Sequence, residues 1–186
     1  MSDRKQNFFL QGQYVALKVL DEQDIETSNW YDWFNDEETT LFMQKHYFPN
    51  TRDQQLEYWK NNIRNSNDKM QLGICEITGG PIFGCISLDS INYINKTAAI
   101  AIIIGEKSSR NFRYFVEANQ LMLKHGFDSL NLNRIYGGSI SKDVAEAYKR
   151  ALGFKMEGIS RSHVYKNGAY HDVYLFGLLK SEFNAN

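Results

Sequence analysis

The segment from Thr97 to Phe154 constrains the fold of this chain more than any other part of the sequence. An apolar run from Ala98 to Ile104 is typical of a buried strand, and the polar loop Gly105 to Asn111 follows it. Apolar residues then recur at helical spacing: Phe112, Phe115, Val116, Met122, Leu123 and Phe127. A second strand is predicted from Arg134 to Ile140. A strand, loop and helix in this order present unpaired backbone N–H groups at the helix N-terminus, which favours a phosphate-bearing ligand.

The rest of the chain predicts more strands, arranged mainly as hairpins. Tyr14 to Leu20 has the pattern of a first strand. The runs Met70 to Ile77 and Ile82 to Ile91 flank a Gly-Gly-Pro turn and predict an antiparallel hairpin. The runs Phe154 to Tyr165 and Tyr170 to Leu179 bracket an Asn-Gly dipeptide, which is a strong hairpin signal.

Two further helices are predicted from their N-terminal capping residues. Asp21 is expected to cap a helix that extends through Trp33 and Phe34, and Thr51 with Gln54 forms a capping box ahead of an apolar stripe. No repeat or Pro/Gly linker divides the sequence. We therefore predict one α+β domain over residues 1–186, with a mixed, mostly antiparallel sheet and a core at about 13–180.

Composition narrows the partners and the compartment. The 21 basic and 22 acidic residues give a net charge of −1, which favours neither nucleic acid nor an anionic membrane. No apolar run reaches the length of about 18 residues that a transmembrane helix needs, and the N-terminus lacks the apolar core of a signal peptide. Cys75 and Cys85 lie in apolar runs and are predicted to be buried, reduced thiols. We expect a cytoplasmic protein without a metal, nucleic-acid or membrane partner.

The loop and helix after the first buried strand resemble motif A of the GCN5-related N-acetyltransferases (GNAT). In that family the loop reads R-G-x-G-Y-G or Q-x-x-G-x-G/A, followed by x-E-A. The matching residues are Arg110, Tyr114, Glu117 and Ala118. The three glycine positions carry Asn111, Arg113 and Phe115 instead.

The resemblance covers nearly the whole chain and includes the closing hairpin, which is similar to N-G-x-Y-x-D-V. It points to the branch of ribosomal-protein alanine, spermidine and amino-sugar acetyltransferases. It implies a GNAT (acyl-CoA N-acyltransferase) fold, in which the sheet splits as a V between strands 97–104 and 133–140.

The resemblance implies direct transfer of an acetyl group from acetyl-CoA to a primary amine, with no metal. The outer amides of the first strand of the V would pair with pantetheine, and the loop amides would hold the pyrophosphate. Phe115 is expected either to turn into the core, as its place on the apolar stripe favours, or to crowd the cofactor. The alternative is that this loop no longer binds CoA. The implied cofactor-binding residues are Ile102, Ile103, Ile104, Arg110, Asn111, Phe112, Arg113, Tyr114, Phe115, Ser141 and Tyr148.

Tyr148 is the candidate catalytic acid, because the family often places a tyrosine in this helix to protonate the CoA sulfur. The alternative is a core tyrosine on an amphipathic helix. Ser141 replaces the family's Asn and is predicted to cap the same helix. No carboxylate lies in 97–104, where many relatives carry a basic Glu. The remaining candidates for the base are His46, which we take as the second catalytic candidate, and Asp89, His163 and His171.

The acceptor is predicted to lie between residues 30–46 and the final hairpin. Part of this segment is similar to the acceptor region of amino-sugar nucleotide N-acetyltransferases. Its rings would either stack on a base or sugar, or simply seal the first helices onto the sheet: Trp30, Tyr31, Trp33, Phe34, Phe42, Tyr47 and Phe48.

Other acceptors and another class of protein stay open. The acidic cluster Asp36, Glu37 and Glu38 favours a polyamine, and a protein N-terminus is a third acceptor. The alternative from another class is a GNAT-fold protein that binds a ligand without catalysis. A homodimer is compatible with each of these.

Overall fold

One eight-stranded sheet organises the computed structural model, which describes residues 8–43 and 47–183. Its strands in chain order are β1 (Phe8–Gln11), β2 (Val15–Val19), β3 (Met70–Glu76), β4 (Gly84–Asn92), β5 (Thr97–Ile104), β6 (Arg134–Ser139), β7 (Lys155–Lys166) and β8 (Ala169–Leu179). Across the sheet the order is β1-β2-β3-β4-β5-β6-β8-β7. Neighbouring strands are antiparallel except β5 and β6, which are parallel, so the predicted mixed, mostly antiparallel α+β fold is confirmed.

The described α-helices are α1 (Glu22–Thr27), α2 (Arg52–Asn62), α3 (Phe112–Lys124) and α4 (Lys142–Leu152). Each begins after a residue whose side chain accepts a backbone N–H of the first turn, and these caps are Asp21, Thr51, Asn111 and Ser141. Gly153 ends α4 with a φ of +77°, a left-handed conformation that glycine adopts without strain. No helix in the described ranges is both long and apolar enough to span a membrane.

Two elements differ from the sequence prediction. The helix capped by Asp21 does not reach Phe34, because the Ser28 hydroxyl donates to the carbonyl of Asp24 and accepts the N–H of Trp30, which turns the chain. Residues 32–34 instead form a separate 3₁₀ turn. Strand β1 was missed, because its four residues, FFLQ, show no polar-apolar alternation.

The split of the sheet is confirmed at the parallel pair. Strands β5 and β6 are paired only from Thr97–Arg134 to Ala99–Tyr136. Beyond Ala99, β5 continues along β4 up to Ile104, while β6 continues along β8. The two strands therefore diverge, and the edge of β5 over residues 100–104 faces the opening of a V.

Side-chain alternation along the strands builds one apolar cluster on each face of the sheet. On one face Ile86 and Leu88 of β4 pack in the larger cluster with residues of α3 and α4. On the other face Cys85 belongs to a smaller cluster with α1, α2 and the tryptophans Trp30, Trp33 and Trp59. Cys75 and Cys85 are buried and unbridged, as predicted, and burial raises the pKa of the Cys75 thiol to about 11.

Candidate active site

The N-terminus of α3 follows β5, the first strand of the V, after a short loop and is ordered by its cap. The Asn111 side chain accepts the backbone N–H of Arg113 at 2.9 Å. The Phe115 ring turns inward, packs against the larger core cluster and meets the Tyr148 ring edge-on at 5.2 Å. The expectation that Phe115 joins the core is therefore confirmed. Phe112 stays 61% exposed.

The cations of the loop before α3 are held by the acidic cluster. The Arg110 guanidinium donates to Glu38 Oε1 and to Thr39 Oγ1, at 2.6 Å in both cases. Lys107 Nζ lies 2.8 Å from Glu38 Oε2 and 3.2 Å from Asp36 Oδ1. Hydrogen bonds from Thr39, and then from Lys107, lower the pKa of Asp36 to about 2. Two carboxylates of the cluster are thus neutralised within the protein, which weakens the argument that the cluster binds a polyamine.

Two other residues of the motif lie on the side of α3 that faces β1 and β2. Arg113 is exposed, with its guanidinium 5.9 Å from the centroid of the Tyr14 ring. The Glu117 carboxylate accepts three backbone N–H groups, from Gln13 at 2.6 Å and from Tyr14 and Val15 at 2.7 Å each. The motif glutamate therefore holds the β1–β2 turn against α3.

Tyr148 lies on α4 inside an aromatic cluster and is 4% exposed. Its ring stacks on the ring of Phe176, with 4.5 Å between the centroids. It meets the rings of Phe115 and Phe154 edge-on, with 5.2 Å between the centroids in each case. Burial raises the pKa of the Tyr148 hydroxyl, and the side chain of Asn119 opposes this only in part. The hydroxyl therefore stays protonated at neutral pH, while the raised pKa also makes it a weaker acid.

Asn119 is a residue that sequence reasoning did not single out. It is fully buried, and its side-chain Nδ2 donates to the carbonyl of Phe115 at 2.8 Å. The signal was present, since Asn119 falls on the apolar stripe of α3 between Phe115 and Met122. A lone amide on such a stripe indicates a polar contact inside the core.

Ser141 performs the predicted capping role at the start of α4. Its hydroxyl accepts the backbone N–H of Val144 at 3.3 Å, and its own backbone N–H donates to the Ser139 hydroxyl at 3.1 Å. Because β6 leads directly into this cap, the N-terminus of α4 lies at the end of the strand that forms the second side of the V.

A cavity of about 800 Å³ lies on the sheet face opposite α3. Directly paired residues of β3, β4 and β5 share this face, and their side chains form its floor. The floor consists of Gln71, Cys85, Ser87, Asp89, Ala101 and Ile103. Gln55 and Tyr58 of α2 contribute to the wall, and Phe34, Tyr47 and Phe48 add aromatic rings.

A polar network occupies part of the cavity floor. Lys69 Nζ lies 2.7 Å from Asp89 Oδ1 and donates to the Tyr58 hydroxyl at 2.7 Å. The Ser87 hydroxyl donates to Asp89 Oδ2 at 2.7 Å. Burial lowers the pKa of Lys69, but the hydrogen bonds with Asp89 and Tyr58 outweigh this and leave the pKa raised. Asp89, a candidate base, therefore lies in the cavity as the partner of a cation.

The histidines are distributed over different parts of the molecule. His46 lies outside the described residues. His163 is exposed on β7, and His171 Nε2 lies 3.0 Å from the carbonyl of Lys166. His125 packs edge-on against Phe9 at 5.1 Å, and burial lowers the pKa of its imidazole.

The aromatic segment divides between the two roles considered for it. Trp30 and Trp33 are 0% and 4% exposed and seal α1 onto the sheet. Phe34, Tyr47 and Phe48 line the cavity, and Phe48 is 85% exposed. Phe34, Tyr47 and Phe48 are therefore the rings of this segment that face the cavity.

Comparison with known proteins identifies the family. Residues 15–147 match the acetyltransferase (GNAT) domain, and the chain belongs to this family, as the sequence predicted. YdaF of Bacillus subtilis, whose full name is "Putative ribosomal N-acetyltransferase YdaF", is 30% identical over 105 residues. The uncharacterised N-acetyltransferase p20 of Bacillus licheniformis is 32% identical over 104 residues. These matches span 56% and 55% of this chain but only 57% of the length of each relative.

Solved structures show the same fold at lower identity. A crystal structure of spermidine N-acetyltransferase from Vibrio cholerae, in complex with CoA and spermine, matches with a TM-score of 0.80 at 22% identity, over 90% of this chain and 96% of that one. A GCN5-related N-acetyltransferase from Brucella melitensis matches with a TM-score of 0.75 at 23% identity, over 97% of this chain and 82% of that one. The GNAT fold predicted from the sequence is thereby confirmed.

Proposed function

We propose that this chain is an acetyl-CoA-dependent N-acetyltransferase that acetylates a primary amine of a small molecule by direct transfer. The observation that carries the proposal is the V, in which β5 presents an edge that β6 does not pair, beside the capped N-terminus of α3. Such an edge accepts an extended ligand as an added strand, and such a helix end binds an anion. Pantetheine would lie along 102–104, and the pyrophosphate near the amides of 111–115. The CoA-bound Vibrio structure with this fold supports the assignment.

The reaction needs few side chains. A neutral amine attacks the thioester carbonyl, the carbon–sulfur bond breaks, and the amine loses a proton while the CoA thiolate gains one. Tyr148 is the proposed donor of that second proton, because the family often places a tyrosine on this helix and the Tyr148 hydroxyl is protonated at neutral pH. Ser141 caps the helix that carries Tyr148 and thereby helps to position it.

For the acceptor we propose a nucleotide-linked amino sugar. The cavity of about 800 Å³ is large enough for a sugar, and its rings Phe34, Tyr47 and Phe48 offer faces on which a sugar or base can stack. A polyamine is the second candidate, because the Vibrio relative was crystallised with spermine. The name of YdaF favours a protein N-terminus.

Acetyl-CoA binding and an acceptor panel test this proposal. We expect calorimetry to detect acetyl-CoA binding, and free-thiol release to show turnover with UDP-glucosamine rather than with spermidine or an alanine-starting peptide. Turnover on spermidine or on the peptide, with none on UDP-glucosamine, would reject the amino sugar as the acceptor but leave the assignment as an acetyltransferase in place. A protein that binds acetyl-CoA without turnover on any amine would favour the non-catalytic alternative.

Arg113 is expected to compensate for the missing glycines of the pyrophosphate loop. Replacing it with alanine should weaken acetyl-CoA binding about tenfold, since a charge-assisted contact at an exposed site is worth roughly 1.5 kcal/mol. Calorimetry on Arg113→Ala measures this, and Arg161→Ala removes another exposed cation, on β7, as the control. If Arg113→Ala bound acetyl-CoA as tightly as Arg161→Ala, Arg113 would not contact the cofactor.

A further inference from the structure

The wall of the cavity contains a buried amide with an unused donor. Gln55 lies on α2, is only 2% exposed, and is among the residues that line the cavity. Within residues 8–43 and 47–183, its Nε2 atom has no hydrogen-bond partner. Buried amide donors are almost always paired in folded proteins, so an unpaired one next to a cavity points to an acceptor atom supplied by a ligand.

The orientation of this amide is determined by its neighbours. Asn50 Nδ2 donates to the backbone carbonyl of Tyr31 and to Gln55 Oε1, at 3.0 Å in both cases. A carbonyl oxygen only accepts, so the Asn50 amide cannot be turned round, and Gln55 must present its oxygen to Asn50. Two hydrogen bonds with Asn35, at 2.7 and 2.8 Å, hold the backbone of Asn50 in place. Nε2 is therefore the atom of Gln55 that is left without a partner.

The charged residues that line the cavity also indicate which kind of substrate it can bind. Glu57, Lys69 and Asp89 are the charged residues among the described lining residues. Lys69 and Asp89 are paired at 2.7 Å, which leaves Glu57 as the carboxylate outside this pair. A polyamine carries several ammonium groups and no oxygen, so its charged nitrogens cannot accept a hydrogen bond from Nε2, and the described lining offers them one carboxylate outside the Lys69–Asp89 pair.

We propose that Gln55 determines acceptor specificity, by donating a hydrogen bond from Nε2 to a hydroxyl or carbonyl oxygen of an amino sugar. The inference rests on the proposed function and adds the residue that selects the substrate class. A site built to bond a substrate oxygen discriminates strongly against a substrate without one, because the buried donor then stays unpaired. Spermidine, which has no oxygen, is therefore disfavoured by Gln55.

Two variants of Gln55 and one control test the proposal. Gln55→Glu replaces the amide donor with a carboxylate. Gln55→Met removes the donor but keeps the approximate shape of the side chain, and it is the variant to use if the buried carboxylate of Gln55→Glu prevents folding. We expect kcat/KM for UDP-glucosamine to fall about 10- to 100-fold in both, mainly through KM, as for the loss of one buried hydrogen bond. The preference for spermidine should rise in Gln55→Glu. Gln120→Glu is the matched control, since it adds the same charge at an exposed position of α3 that is not among the residues lining the cavity.

A binding measurement separates this inference from the proposed function. Calorimetric titration of UDP-glucosamine, without acetyl-CoA, needs no turnover. Binding to the parent protein that weakens at least tenfold in Gln55→Met supports the role of Gln55 even if no amine is acetylated. The inference is overturned if UDP-glucosamine binds the parent and Gln55→Met equally well, or does not bind the parent. It is also overturned if turnover depends on Gln55 but occurs only with the peptide. Thermal unfolding of each variant confirms that a folded protein is compared.

Discussion

Replacing Tyr148 with phenylalanine is expected to lower turnover by roughly 10²–10⁴, the usual contribution of a general acid. The substitution removes only the hydroxyl, so the ring contacts with Phe115, Phe154 and Phe176 remain. We therefore expect the thermal unfolding temperature to stay close to that of the parent. Turnover is measured by free-thiol release at saturating acetyl-CoA with the acceptor identified in the panel.

The control for this variant is Tyr170→Phe, which removes a hydroxyl from an exposed ring on β8. Its turnover should equal that of the parent protein. If Tyr148→Phe also retained parent turnover, Tyr148 would be a core residue and not the acid. Since burial raises the pKa of Tyr148 from its ordinary value of 10.0, the acid form persists throughout the neutral range. Deprotonation of Tyr148 should therefore not lower the rate below pH 10.

Replacing Ala101 with phenylalanine is expected to lower kcat/KM for the acceptor by about 10²-fold. Ala101 is exposed on the cavity floor, directly opposite Ser87 in the β4–β5 pairing, so a ring here narrows the space in which the amine must be aligned. Displacement of a substrate by about 1 Å is enough for a loss of this size. Steady-state kinetics with varied acceptor concentration measures the effect.

Ala169→Phe provides the comparison, since Ala169 is an exposed strand residue that is not among those lining the cavity. Calorimetry on Ala101→Phe should still detect acetyl-CoA, because the proposed pantetheine contacts are backbone groups of β5. Unchanged acceptor kinetics in Ala101→Phe would mean that the amine is bound outside this cavity.

Much of the architecture could be predicted from local sequence patterns. The caps at Asp21, Thr51 and Ser141 are found where the sequence placed them. The closing hairpin turns at Asn167 and Gly168, both with positive φ, as an Asn-Gly dipeptide favours. Prediction was less complete at α1, where the hydroxyl of Ser28 ends the helix early. These features depend on residues within a few positions of one another, which is why spacing alone reveals most of them.

The sequence by itself determined the order of the elements from β2 to β8 and the motif that identifies the family, and it favoured the inward turn of Phe115. Only the tertiary structure decided the partners of polar groups. Glu38 reaches Arg110 across 72 residues, and the unpaired Nε2 of Gln55 follows from Asn50 and the carbonyl of Tyr31. Periodicity reports which face of an element is buried. Hydrogen-bond partners between distant segments depend instead on strand register and helix docking, which no local pattern contains.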